Sequence, residues 1–224
     1  LFANPASTFY PVKVLADAFL PVTKILPTIF VTTFFLAGLG TYLLSRELGV
    51  RKWAAFLAGL AFQFTGLTMS FVWAGQDGKT IVAAFAPLFF FFLHRGIRKG
   101  TVAPFAGATA TLGAGMLSFQ IQSSYYLLLA GAIWALFSLW HLGYLKDPKP
   151  LARRVALGLG AVVLAFALAS VNFLPFLNYV DASPRAVEGG RGYEYSTSWA
   201  MSPREITGLA VPEHIGVSVV DPNT

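Results

Sequence analysis

Six apolar stretches follow one another between positions 21 and 180, and none carries a charge in its interior. No other feature limits this chain as strongly. A bilayer core of about 30 Å is crossed by about 20 apolar residues of helix. Hydrophobic residues make up 56% of the 224 and charged residues only 12%. A soluble domain carries about a quarter charged residues, so this chain cannot cover a globule with polar surface. The expected fold is all-α, a polytopic helical membrane protein with about six transmembrane helices and short outer-face helices.

The first stretch covers about residues 21–44, with Lys24 near its start. The second covers about 53–73, with Trp53 and Trp73 where interfacial rings sit. The third, about 80–93, holds Phe89-Phe90-Phe91-Phe92 and is short, so part of the preceding loop is expected to be buried with it. The fourth, about 101–119, is rich in small residues. The fifth and sixth cover about 123–144 and 155–180, the last carrying Pro175. Residues 1–20 read as an outer-face interfacial segment, weakly amphipathic from Val12 to Leu20. Residues 21–180 form the membrane domain and 181–224 an outer-face tail. The chain opens on Leu1 and stops without a closing element, so we expect a piece of a longer protein with an earlier crossing upstream.

Charge sets the orientation. The connections after the first, third and fifth stretches hold ten of the sixteen basic residues against two acids, Glu47 and Asp147; elsewhere six basic residues meet eight acids. The positive-inside rule places those connections in the cytoplasm and both ends of the chain outside. The net charge of +6 is then a signal of topology, and no nucleic-acid partner is expected. With no Cys, disulfides, thiolate metal sites and Cys nucleophiles are absent.

Small residues three and four apart let helices approach closely. Gly107, Gly113, Gly38, Gly40, Gly158 and Gly160 read this way, with a substrate path as the alternative. Gln63 and Asn172 are polar groups at membrane depth, where an unsatisfied group is costly. Interhelical hydrogen bonds are the plain reading, and a cavity toward the outer leaflet the sharper one.

Chemistry is sought in the outer loops. Gly75-Gln76-Asp77-Gly78-Lys79 reads either as a solvated turn or as a charged pair facing a lipid-linked phosphate. Ser118-Phe119-Gln120-Ile121-Gln122, followed by Tyr125 and Tyr126, reads as an interfacial cap or as amides and rings suited to sugar. In the tail, Ser183-Pro184 and Ser202-Pro203 read as helix caps, and Arg185 and Arg191 as a phosphate clamp. Glu194, Glu205, Glu213 and His214 are donors for a base or a divalent metal, without a metal-spacing signature.

Together these residues resemble the bacterial YfhO-like multispanning membrane proteins of the GT-C glycosyltransferase group. The resemblance rests on Phe9-Tyr10-Pro11, on Leu39-Gly40-Thr41-Tyr42-Leu43-Leu44 with Arg46, and on Gly75-Gln76-Asp77-Gly78-Lys79 with Pro87. It continues in Gln120-Ile121-Gln122 with Tyr125-Tyr126, and in Tyr195-Ser196-Thr197-Ser198-Trp199 with Pro203 and Pro212. Gln76 and Gln120 depart from it, standing where the family pattern has His. The resemblance implies a bacterial cytoplasmic-membrane enzyme that takes a polyprenyl-phosphate-linked sugar and transfers it on the outer face. Asp77 is then the expected acid/base or metal-organising residue. Lys79 with Arg185 or Arg191 is expected on phosphate and Gln120, Gln122 and Tyr125 on the sugar, with Gln76 and Glu194 as further substrate-binding residues. The GT-C catalytic Asp more often lies in a loop that precedes Leu1. The competing expectation is a non-catalytic membrane protein, a lipid or sugar-lipid transporter or an assembly scaffold. A transporter is expected to show broken helices and paired halves; the sequence offers only Pro175 and no clear internal repeat.

Overall fold

The computed structural model describes residues 8–73 and 75–180, with positions 193, 197, 206 and 207 beyond them. All regular structure among the described residues is helical. The helices are α1 (Pro11–Phe19), α2 (Val22–Glu47), α3 (Lys52–Gln63), α4 (Gly66–Trp73), α5 (Asp77–Lys99), α6 (Val102–Met116), α7 (Ile121–His141) and α8 (Pro148–Val180). Two compact units divide the chain at Leu177/Asn178. In the second, the Thr197 hydroxyl donates to the Tyr193 carbonyl at 2.9 Å. The caps expected at Ser183 and Ser202 lie outside the described residues.

Five segments are long and apolar enough to cross a membrane: α2, α3 with α4, α5, α7 and α8. The fourth stretch differs from expectation. It forms the 15-residue α6, about 22 Å at 1.5 Å per residue, shorter than a hydrocarbon core. The second stretch is broken at Phe64-Thr65. There Thr65 Oγ1 accepts the Thr68 backbone N–H at 3.3 Å, capping α4 as an N-cap Thr does.

The core is built around α5. Its most apolar window is 67% buried, against 17–28% for the other four segments. A helix apolar on all sides is a central one, and the phenylalanine run explains how it packs. Phe89 and Phe91 are buried, and Phe90 lies 5.4 Å from the Trp134 ring. Neighbouring helices meet these rings with glycine. A Cβ on Gly131 would stand 2.7 Å from Phe89, and one on Gly40 2.8 Å from Leu88. Gly107 faces Phe92 in the same way. On the other side of α2, a Cβ on Gly59 would stand 2.7 Å from the Gly38 carbonyl, and Gln63 Oε1 lies over Gly38. Gly38, Gly40, Gly107 and Gly113 therefore serve close packing, whereas Gly158 makes only an ordinary contact with Phe105 and Gly160 faces open space.

The N-terminal segment is tied to this core. Tyr10 is fully buried, edge-on to Phe85 at 6.2 Å. Burial pushes its phenol up, with the Thr33 hydroxyl opposing, although neither hydroxyl meets full hydrogen-bond geometry with a described partner. The helix α1 itself keeps an exposed apolar side, at Leu15 and Phe19.

The basic connections meet at one end. The side chain of Glu47, closing α2, is only 7% exposed and lies 2.6 Å from Arg98 and 3.7 Å from Arg95 of α5. The first contact is an ion pair by distance but is not aligned as a hydrogen bond. Tyr144 donates to the Arg98 carbonyl at 2.9 Å, and Arg154 of α8 donates to the Ile97 carbonyl at 2.6 Å.

Candidate functional site

The opposite end brings together the motifs at positions 75–79 and 118–122. Gly75, in the left-handed region at φ +66°, closes α4. Its N–H bonds the Val72 carbonyl at 3.0 Å, and the Gln76 N–H bonds the Phe71 carbonyl at 2.8 Å. This double closure is the glycine-ended helix stop. The chain then enters α5 at once, so Asp77, Gly78 and Lys79 are not a free loop as expected. They are the first turn of a helix, and Thr80 fixes that turn by donating both its N–H and its hydroxyl to the Gln76 carbonyl.

Gly78 is the joint. It is buried, and a Cβ there would stand 2.7 Å from Gln120 Cγ and 2.9 Å from the Ser118 carbonyl. Ser118 donates its hydroxyl to the Gly78 carbonyl at 3.2 Å, shared with the Gly115 carbonyl at 2.6 Å. The turn between α6 and α7 is thus seated directly on the α5 N-terminus. Gln120 is half-buried and Gln76 exposed.

Phe119 shapes that turn. It is the one non-glycine residue at positive φ (+60°) among the described residues, a conformation disfavoured for a bulky side chain. Its ring is held between Phe173 at 5.7 Å and Phe176 at 4.8 Å. Asn172 adds a bond from Nδ2 to the Leu117 carbonyl at 2.9 Å, satisfying an orphan acceptor at the α6 C-terminus. The interhelical reading of Asn172 therefore holds. The sequence offers Ser118 and Phe119 only as part of this loop motif and gives neither a role of its own. A hydroxyl beside a glycine-lined turn is a faint signal, and a strained phenylalanine leaves none.

Gln122, Ser124, Tyr125 and Tyr126 occupy the first turns of α7 instead of a loop. Gln122 Nε2 donates to the Tyr126 hydroxyl at 3.2 Å. The Tyr125 and Tyr126 rings are 5.7 Å apart, and both are more than half exposed. Ser124 is buried with a hydroxyl that has no hydrogen-bond partner among the described residues. Lys79 is half-buried, its ammonium 5.9 Å from the Phe71 ring centre. Asp77 is half-buried at the same helix start, where the dipole favours a carboxylate.

The structure therefore gathers Gln76, Asp77, Lys79, Gln120, Gln122 and Tyr125 at one end of the bundle, with Gly78 against Gln120 as the direct contact. Arg185, Arg191 and Glu194 lie outside the described residues. Among the described residues no three His, Asp or Glu side chains form a group able to hold a metal ion. The fold defines a helical chain with several segments able to cross a membrane. No protein family, curated protein or solved structure matches it.

Proposed function

We propose that this chain belongs to a membrane glycosyltransferase of the GT-C type, moving a sugar from a polyprenyl-phosphate donor to a cell-envelope acceptor on the outer face. In this reading α6 counts as a sixth crossing, and the basic end lies in the bacterial cytoplasm. The supporting observation is the seating of the α6–α7 turn on the first turn of α5 through Gly78, Ser118 and Gln120. That joint holds a carboxylate, an ammonium and a set of amides and phenols at one end of a bundle.

The chemistry follows from the groups. The Asp77 carboxylate takes the proton of the acceptor hydroxyl. The hydroxyl oxygen attacks the anomeric carbon while the bond to the phosphate oxygen breaks, inverting the centre. The polyprenyl phosphate leaves with the electron pair, its charge met by Lys79. Gln120, Gln122 and Tyr125 give the sugar directional hydrogen bonds and a ring face.

The test is sugar transfer from polyprenyl-phosphate donors by the full-length protein in vesicles. Asp77→Asn is nearly isosteric and should lower transfer about a hundredfold or more. Lys79→Gln should chiefly raise the donor KM, by about tenfold. Wild-type turnover with both variants unimpaired removes these residues from the site. No turnover with any donor favours the non-catalytic transporter or scaffold.

A further inference from the structure

The basic half of the bundle, away from the proposed transfer site, contains an apolar groove of about 320 Å3 between α5, α6, α7 and α8. Its floor is the buried trio Phe105, Ala108 and Leu112, while Leu136 and Leu159 on its rim are more than 60% exposed. The groove thus opens sideways on the face of the bundle that meets lipid. Arg154 is the single charged residue in its lining.

Arg154 is held in one place. Nε donates to the Ile97 carbonyl at 2.6 Å and Nη1 to the Pro150 carbonyl at 2.9 Å. The guanidinium lies 3.7 Å from the Tyr144 ring centre. These contacts leave Nη2 with no acceptor among the described residues, and no carboxylate there pairs with the group. A half-buried cation without a counter-ion, at the end of an apolar slot, is complementary to an amphiphile with a negative head. We propose that this groove seats one acyl chain of an anionic glycerophospholipid, with Arg154 Nη2 donating to its headgroup phosphate.

One further observation selects that occupant. The connections at this end of the bundle carry ten basic residues against two acids, the pattern that draws anionic lipid to a membrane surface. The site is independent of the glycosyltransferase reading and stands or falls without it.

Native mass spectrometry tests it, on the purified full chain released from micelles doped with phosphatidylglycerol or with phosphatidylcholine of the same acyl chains. The wild type should retain one phosphatidylglycerol about fivefold more tightly than phosphatidylcholine. Gly158→Leu places its Cβ at an ordinary 3.6 Å from Phe105 and fills the slot, so retention of both lipids should be lost. Arg154→Gln should keep uptake and lose the preference. Equal retention of the two lipids by the wild type, or unchanged phosphatidylglycerol retention by a folded Gly158→Leu, overturns the proposal. If Arg154→Gln does not fold because the Ile97 and Pro150 carbonyls lose their donor, Gly158→Leu decides alone.

Discussion

Gly78 has no room for a methyl group, and that single fact ties the motif at positions 75–79 to the one at 118–122. Gly78→Ala should cost about 1–3 kcal/mol, as overpacking does, because the Ser118 backbone and the Gln120 side chain must both retreat. Gly160→Ala, in the middle of α8 with open space around it, should be neutral or stabilising by up to about 1 kcal/mol. Unfolding in micelles compares the two, and equal costs would show that the joint at Gly78 is not tight. At this scale the sequence was partly legible. Gly75 as a chain reversal and the packing glycines followed from side-chain size alone. The pairing of Gly78 with Gln120, 42 positions apart, did not, because nothing local encodes which helix end a turn will rest on. Phe119 was illegible for a stronger reason. Its positive φ runs against its own preference and is fixed by the rings of α8.

Among the elements, the break in the second stretch shows a polar residue overriding hydropathy. Averaged over 20 residues the segment reads as one helix, yet Thr65 caps a new one at Gly66. Thr65→Ala should therefore destabilise α4 by about 1 kcal/mol, measured as faster amide exchange confined to residues 66–73. Exchange unchanged there would mean that the cap contributes nothing. The third stretch erred the other way. Hydropathy stopped it at Leu93 because His94 and Arg95 follow, but Glu47 gives Arg95 and Arg98 a buried counter-ion and the helix continues to Lys99. Glu47→Gln should loosen α2 from α5 and cost about 2 kcal/mol. That is less than a fully buried pair, since both arginines are partly exposed. Removing Arg98 as well should add little to the Glu47→Gln cost if the pair is what holds the two helix ends.

At the largest scale, the helices of residues 8–177 form a bundle with two unlike ends. One end collects the closing turns of α2 and α5 with the start of α8, and is basic. The other collects the starts of α5 and α7 with Asp77, Gln120 and the tyrosines. Charge counting assigned these ends from sequence because it needs no contacts, only the order of the apolar stretches. The length of α6 escaped it, since small residues raise hydropathy without extending a helix. The most direct test of the two-ended bundle uses the absence of cysteine. Single cysteines at the exposed positions Gln76, Gln122, Lys99 and Lys149 are exposed in intact cells to a thiol reagent that cannot cross the membrane. Gln76→Cys and Gln122→Cys should react at once, and Lys99→Cys and Lys149→Cys only after permeabilisation. Reaction of Lys149→Cys and Gln122→Cys from the same side would contradict the account.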